Sequence, residues 1–171
     1  ANRYVLTLEG RRAILNRCIY GVDINPEAVE VAKMSLSLKL IDNYLPSDFG
    51  AVGIFGSQIL KGVGENIRCG NSLVGEDIQT FAPSILENAV QLQATNAFDW
   101  QTAFPEVFEK GGFDYVVGNP PYVEVKNYNV SLPYMAAYIK RMYRSSRNGK
   151  IDCAVPFIEK GVSLLNEHGR L

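Results

Sequence analysis

The residues that most clearly suggest a reaction are Asn119-Pro120-Pro121-Tyr122. They directly follow the apolar run "FDYVVG" at positions 113–118. Asn119 offers a side-chain carbonyl. The two prolines lack an N–H and have a restricted φ, so they stiffen the loop and can leave a main-chain carbonyl pointing outward. Two fixed carbonyls near one point form a socket for an NH2 group. Tyr122 offers a flat face, on which a base stacks with roughly 1–3 kcal/mol. The alternative interpretation is an ordinary Pro-Pro turn after a strand.

Such a socket suits the amino group of a planar base or of an amide. The lone pair of such a nitrogen is delocalised, so the nitrogen is a poor nucleophile. Two acceptors can hold the NH2 protons, favour a pyramidal nitrogen and stabilise the positive charge that grows as it attacks a methyl group. This chemistry requires no general base with a shifted pKa.

Two further polar residues stand where predicted strands end. Asp23 ends "CIYGVDI", and Asn71 lies in "CGNSL". In doubly wound folds, ligands lie beyond the carboxyl ends of strands. An acid such as Asp23 can accept hydrogen bonds from ribose hydroxyls while Ile24 packs on an adenine, and Asn71 can read the amino edge of that adenine. The alternatives are that Asp23 only assists a helix cap and that Asn71 is a turn residue.

The elements that would position these residues alternate between strands and helices. A strand over 18–24 leads into a helix over 25–41, with Asn25 as its cap and Pro26 at its first position. Its apolar positions 29, 32, 36 and 40 are expected to face a sheet. Alternating strands and helices predict an α/β fold with a parallel-type sheet and flanking helices.

The rest of the chain completes that pattern. Residues 42–64 are expected to be loop, and 76–98 a partly helical insertion. Strands are predicted within 66–75 and 113–118. Helices are predicted over 5–17, within 99–112, around 131–144 and from 152 onward, with Gly169 as the stop before a further strand.

Composition excludes several classes of protein. The 171 residues carry a formal charge of -1 and contain no run of 18 apolar residues, so no membrane span is expected. The three cysteines, Cys18, Cys69 and Cys153, and the single histidine, His168, are too few and too scattered for a structural zinc site. No metal site is therefore expected, and unpaired thiols suit a reducing cytoplasm.

Charge is unevenly distributed along the chain. Positions 76–124 hold eight acids and one base, whereas 126–150 hold six bases and no acid. The basic segment can meet phosphate although the whole chain is nearly neutral. The candidate DNA-contact residues are Lys126, Lys140, Arg141, Arg144 and Arg147. The alternative interpretation is a solvated helix face.

Three stretches resemble a known family: "IYGVDINPEAVEVAKMSL", "NIRCGNSLVG" and "FDWQTAFPEVFEKGGFDYVVGNPPYV". The sequence resembles the S-adenosylmethionine-dependent adenine-N6 DNA methyltransferases. More narrowly, it resembles the large bacterial type II restriction-modification enzymes that carry nuclease and methyltransferase in one chain. The resemblance implies a partial Rossmann-like methyltransferase domain over 1–171, from the second strand to the start of the fifth.

The resemblance also implies roles for individual residues. Asp23 would bind the ribose of S-adenosylmethionine, Ile24 would pack on its adenine, and Asn71 and Ser72 would lie near that adenine. The implied partner is double-stranded DNA, in the bacterial cytoplasm.

For the target base, the resemblance assigns the Asn119 side chain and the Pro120 main-chain carbonyl as acceptors for the amino group. Pro121 would stiffen the loop, and Tyr122 would stack on the adenine. Reaching adenine N6 in a duplex requires the base to be flipped out.

One family feature is missing. The glycine-rich cofactor loop expected before Asp23 does not occur in residues 1–22, where the glycines are Gly10 and Gly21. We therefore expect a piece of a larger protein whose sheet lacks its first strand. Exposed sheet edges would pair with another copy or rearrange. We also expect this piece alone to bind cofactor weakly and to have little activity.

Three other functions stay open. A methyltransferase acting on a protein glutamine amide also carries Asn-Pro-Pro-Tyr, because an amide NH2 poses the same problem. Asn119 lies 96 residues after Asp23, a spacing that favours the large DNA enzymes. A cytosine-N4 target is disfavoured, since that group usually has serine at the position of Asn119. The third alternative is a non-catalytic DNA-binding or interaction module.

Overall fold

The computed structural model describes residues 6–42, 62–121, 132–147 and 154–171. The chain divides into two compact units, Ala1–Cys69 and Gly70–Leu171. The first unit contains α1 (Leu8–Cys18), β1 (Gly21–Asp23), α2 (Pro26–Ile41) and β2 (Ile67–Cys69). The second unit contains α3 (Ile78–Phe81), a 3-10 helix (Pro83–Glu87), α4 (Ala89–Thr95), α5 (Trp100–Ala103), α6 (Pro105–Phe108), β3 (Phe113–Tyr115), α7 (Pro133–Met142), a 3-10 turn (Arg144–Ser146), α8 (Ala154–Leu164) and β4 (Leu165–Arg170).

Local capping signals set the helices of the first unit. The Thr7 hydroxyl accepts a hydrogen bond from the Gly10 N–H at 3.1 Å, which starts α1. The helix continues through Cys18, so the predicted strand over 18–24 is shorter than expected and covers only 21–23.

The second helix of this unit, α2, follows its sequence signals closely. The Asn25 side chain accepts hydrogen bonds from the N–H groups of Glu27 at 2.8 Å and Ala28 at 3.3 Å. The apolar stripe predicted from helical spacing is confirmed in part: Val29 and Leu40 are buried, while Ala32 and Leu36 are half-buried.

A parallel pair of strands forms the sheet of the first unit. Gly21 lies opposite Ile67, and Asp23 lies opposite Cys69. Because the strands are parallel, as the sequence predicts for this sheet, both carboxyl ends lie at the same edge.

The second unit has the larger described core. Its buried cluster combines residues that follow β2 with residues of α7 and the residue after it: Leu73, Val74, Ile78, Ile85, Met135, Ala136, Tyr138, Ile139 and Tyr143. The helix predicted around 131–144 is confirmed as α7. The segment 76–98 is partly helical, as expected, and it supplies Ile78 and Ile85 to this core.

The second parallel pair joins β3 and β4, with Phe113 opposite Leu165. The prediction that a helix runs from 152 to a stop at Gly169 was wrong. The helix ends at Leu164, and β4 begins at once. A Cβ on Gly169 would lie 2.8 Å from the Phe113 carbonyl oxygen, so this glycine permits close approach of two strands and does not end a helix.

The fold class is α/β with small parallel sheets, in agreement with the sequence prediction. Although "FDYVVG" is largely apolar, part of this run is exposed. Tyr115 is 71% exposed and Val117 is 96% exposed. No described helix is long and apolar enough to cross a membrane.

Candidate active site

The carboxyl edge of β1 and β2 carries the predicted cofactor residues of the first unit. Asp23 is exposed, and its Oδ1 accepts a hydrogen bond from the Asn25 N–H at 2.7 Å. An ionised carboxylate has about four acceptor sites, so this local bond leaves Asp23 able to accept more. Ile24 is 52% exposed. The Cys69 thiol donates to the Ile24 carbonyl at 3.6 Å, which ties the ends of the two strands together.

Asn71 begins a tight turn in the second unit. Only 7% of the residue is exposed. Its side-chain NH2 donates to the Met135 sulfur at 3.2 Å, and its side-chain oxygen accepts from the Leu73 N–H at 3.1 Å. Both ends of the amide thus have partners within the protein. Ser72, the next residue, is only half-buried.

Asn119 lies four residues beyond the end of β3. It is exposed, and Pro120 and Pro121 are half-buried. The Val116 N–H still donates to the Arg170 carbonyl at 2.9 Å, so pairing with β4 continues one residue past β3. The three residues therefore leave the sheet at the carboxyl end of a parallel strand, where ligands of α/β proteins usually bind. Tyr122 lies outside the described residues.

Two tyrosines, one on α7 and one directly after it, form hydrogen bonds with the segment that follows β2 in the sequence. The Tyr138 hydroxyl donates to Asp77 Oδ1 at 2.6 Å and accepts from the Gly75 N–H at 3.3 Å. The Tyr143 hydroxyl donates to the Leu73 carbonyl at 2.7 Å. Burial raises the pKa of both phenols, and the hydrogen bond to Asp77 raises the pKa of Tyr138 further.

Burial and two nearby carboxyl groups influence the pKa of a lysine in the same unit. Partial burial lowers the pKa of Lys160, although Asp99 and Asp77 partly offset this by stabilising its charge. Asp99 caps α5 by accepting the Thr102 N–H at 2.7 Å. That backbone hydrogen bond is the largest cause of the lowered pKa of Asp99.

Four of the candidate DNA-contact residues are described, and all four are exposed: Lys140, Arg141, Arg144 and Arg147. The first two lie in the last turn of α7. Glu159 accepts the Arg144 N–H at 3.0 Å and the Ser145 N–H at 2.9 Å, and hydrogen bonds from Ser145 lower the pKa of this carboxyl. Lys126 lies outside the described residues.

The predicted site residues fall into both units. Asp23 and Ile24 are adjacent in the first unit, while Asn71, Ser72 and Asn119–Pro121 belong to the second. In the part of the chain that the structure describes, no group of three or more His, Cys, Asp or Glu side chains could hold a metal ion.

Sequence reasoning did not single out Asp77 or Trp100, which hold parts of the second unit in place. The Trp100 indole N–H donates to the Ser72 carbonyl at 3.4 Å. The available signal was the tryptophan itself: it is the only one in the chain and stands in a segment that resembles the family.

Residues 17–171 match the model of the family described as Eco57I restriction-modification methylase. The chain is 30% identical over 168 residues to the type II restriction enzyme and methyltransferase RM.Eco57I of Escherichia coli, covering 98% of this chain and 15% of that protein. It is 25% identical over 150 residues to the adenine-specific methyltransferase PglX of Streptomyces coelicolor, covering 83% of this chain and 11% of that protein.

The chain therefore spans about one-seventh or less of the length of these two curated relatives. No solved structure matches it significantly. The family match covers nearly all of the chain, including the predicted cofactor residues and the Asn-Pro-Pro-Tyr stretch. By this match, the chain belongs to the Eco57I restriction-modification methylase family.

Proposed function

We propose that this chain is part of the catalytic domain of an adenine-specific DNA methyltransferase in a restriction-modification system. The reaction would transfer a methyl group from S-adenosylmethionine to adenine N6. The observation that carries the proposal is the exposed Asn119 with its two prolines, beyond the carboxyl end of parallel strand β3, in a member of a methylase family. The adenine-specific relative from Streptomyces supports adenine as the target.

The residues at the edge of β1 and β2 fit a nucleoside-bearing cofactor. Asp23 has acceptor capacity for ribose hydroxyls beyond its bond to Asn25, and the exposed side chain of Ile24 is a surface for an adenine ring. When bound, S-adenosylmethionine supplies an electrophilic methyl group on a sulfonium. Ser72 in the second unit is assigned to the same cofactor. Asn71 would act there through its turn, because its side-chain amide is already hydrogen-bonded. This proposal includes a Rossmann-like arrangement of the domain.

The target base would be handled by the segment after β3. The Asn119 side-chain oxygen and the Pro120 main-chain carbonyl would accept the two protons of the adenine amino group. These bonds localise the lone pair on nitrogen and stabilise the positive charge that develops there. Pro121 limits movement of the loop. Tyr122 would stack on the flipped adenine.

Double-stranded DNA is the proposed macromolecular partner, and the bacterial cytoplasm the proposed location. The exposed residues Lys140, Arg141, Arg144 and Arg147 are proposed to contact phosphates, together with Lys126. Phosphate contacts position a protein on DNA without reading its sequence. These residues are therefore expected to support affinity, while sequence recognition belongs to other parts of the protein.

The substitution Asn119→Ala in the intact protein tests the proposal. We expect the rate of methyl transfer into DNA to fall by about 100-fold or more, because one of two acceptors for the developing charge is removed. Cofactor affinity, measured by calorimetry, should not change, because Asn119 is assigned to the target base.

Gln93→Ala is the control, since it removes an exposed side-chain amide from α4. It should leave the methylation rate unchanged. An Asn119→Ala protein that methylates adenine at the normal rate would exclude the proposed role. Transfer of labelled methyl groups into a protein glutamine, with none in DNA, would favour the amide methyltransferase.

A further inference from the structure

The segment that contains Trp100 is fixed to the Asn71–Ser72 turn by its backbone. The Asn71 N–H donates to the Asn96 carbonyl at 2.6 Å, and the Phe98 N–H donates to the Val74 carbonyl at 2.8 Å. Asn71 and Ala97 form a parallel bridge. The Trp100 indole N–H then adds a side-chain hydrogen bond to the Ser72 carbonyl at 3.4 Å.

The same indole contacts the first residue of β3. The rings of Trp100 and Phe113 meet edge to face, with 5.8 Å between their centroids and an angle of 86° between their planes. Trp100 also lies against Phe104, whose side chain is fully buried, at 5.8 Å. Aromatic rings prefer such edge-to-face and tilted contacts, which restrict their orientation. One side chain thus links the turn after β2 to the strand that leads to Asn119.

Two glycines show how closely these parts are packed. A Cβ on Gly70, just before the turn, would lie 2.6 Å from the Phe98 Cβ. Gly112, just before β3, has φ +122°, and a Cβ there would lie 2.7 Å from the Leu164 carbonyl oxygen. At both positions the backbone lies too close to its neighbours for any side chain. The first close approach holds the segment before Trp100 against the turn, and the second holds the start of β3 against the junction of α8 and β4.

We propose that Trp100 is a positioning residue, which holds the Asn71–Ser72 turn at a fixed distance from β3. This inference rests on the proposed function, in which the turn borders the cofactor and β3 leads to the acceptors for the target amino group. Trp100 acts through Ser72 and Phe113. Its role is to set the distance between two groups of residues that must act on the same reaction, where small misplacements lower rates strongly.

Three variants of the intact protein separate this role from ordinary packing. Trp100→Phe removes the indole N–H that bonds to Ser72 and keeps an aromatic ring. Trp100→Leu removes both the donor and the ring. Phe108→Leu is the matched control, because Phe108 meets Phe113 with the same geometry, 5.8 Å and 86°, and its described ring contact is to β3.

We expect Trp100→Leu to raise the KM for S-adenosylmethionine and to lower kcat, each by about tenfold. Trp100→Phe should raise KM more than it lowers kcat, because it disturbs the turn and preserves the ring near Phe113. Phe108→Leu should leave this KM unchanged and lower kcat by about threefold at most. The thermal midpoints of the three variants should also be compared. The same ordering of KM and kcat changes is expected when differences in stability are taken into account.

Hydrogen exchange provides a readout that needs no cofactor. The Leu73 and Val74 amides donate within the turn, and the Val116 amide donates to Arg170 beside β3. Trp100→Leu should speed exchange at all three amides. Phe108→Leu should speed exchange at Val116 only, because its contact lies on the strand side.

The possible outcomes are distinct. If Trp100→Leu and Phe108→Leu match in KM, kcat and exchange, Trp100 is only a packing residue and this inference is wrong, while the proposed function stands. If the unmodified intact protein neither binds S-adenosylmethionine nor methylates DNA, the proposed function fails, and the inference fails with it.

Discussion

Asp23 shows how one residue can serve both the fold and a ligand. Its Oδ1 accepts the Asn25 N–H at 2.7 Å, and Asn25 in turn caps α2. The sequence alone left open whether Asp23 assists the helix cap or binds a ribose. The structure contains the first interaction, and a carboxylate has the acceptor capacity for the second as well.

The substitution Asp23→Asn separates the two roles. The amide oxygen can still accept the Asn25 N–H, but the charged acceptor for ribose hydroxyls is lost. Hydrogen bonds to charged groups contribute about 1.5–3 kcal/mol, so cofactor affinity in the intact protein should fall by about 10-fold to 100-fold. Calorimetry measures this change.

Asn25→Ala is the control for that experiment. It removes the cap of α2 and should lower the free energy of unfolding by about 1 kcal/mol. The affinity of the folded protein for cofactor should stay the same. Equal losses of affinity in both variants would mean that Asp23 acts only through the local backbone.

Tyr138 gives a prediction about stability and pH. Its hydroxyl donates to Asp77 and accepts from Gly75, and burial with the Asp77 bond raises its pKa. An unfolded tyrosine titrates near pH 10, so this contribution to stability is fully present below about pH 10 and is lost as the pH rises above it. Tyr138→Phe should reduce stability by about 1–2 kcal/mol near neutral pH and weaken the alkaline decline.

Urea unfolding near pH 8 and above pH 10 measures both effects. Tyr115→Phe is the matched control, because Tyr115 is mostly exposed. It should change stability by less than about 0.5 kcal/mol at either pH. The same loss in both tyrosine variants would contradict a structural role for the Tyr138 hydroxyl.

Asn71 marks the limit of local reasoning about single residues. Its place after a strand predicted a role at a ligand, which stays a prediction, but its side-chain amide is hydrogen-bonded within the protein at both ends. Its NH2 group bonds to the sulfur of Met135, which is 64 residues away in the sequence. No short-range pattern contains that contact, because it depends on how α7 packs against the turn.

At the scale of elements, helices with local signals, either a cap or a regular apolar spacing, were predicted well. Asn25 and Pro26 located the start of α2, and the spacing of Met135 and Ile139 identified α7. The start of β4 could not be predicted in the same way. It depends on parallel pairing with β3, some 50 residues earlier in the sequence, and on a close approach at Gly169.

The basic end of α7 carries a prediction about DNA. Lys140 and Arg141 are both exposed in its last turn. Replacing both with alanine should weaken binding to all DNA sequences. The slope of log affinity against log salt should become shallower by about 0.9 for each lost phosphate contact.

Binding titrations at several salt concentrations measure this slope. Lys110→Ala is the control, since Lys110 is an exposed base within the acidic part of the sequence. It should leave the slope unchanged. A slope that responds equally to all three residues would indicate general attraction by net charge and no specific phosphate contacts.

For the whole molecule, the described strands form two separate parallel pairs, β1 with β2 and β3 with β4. The sequence predicted strands of this type in an α/β chain, and that much is confirmed. The expectation that the sheet of this piece lacks its first strand stays a prediction. Local patterns could not reveal the degree of exposure, because burial of a strand depends on what packs on its faces.

Exposure along β3 leads to a prediction about self-association. Within the described residues, β3 pairs only with β4, and Tyr115 on this strand is 71% exposed. An open strand edge with apolar side chains favours pairing with another chain, and a lysine placed there opposes it. We expect the sedimentation coefficient of the 171-residue chain to rise with protein concentration and to become independent of concentration in Tyr115→Lys.

Val162→Lys distinguishes pairing at the strand edge from non-specific hydrophobic association. Val162 lies on α8 and is 56% exposed, so the change adds the same charge to an apolar helix surface. If association runs through the edge of β3, Val162→Lys should associate as strongly as the unmodified chain. Equal suppression by both lysines would point to general hydrophobic contact. A monodisperse monomer in the unmodified chain would rule out pairing at this edge.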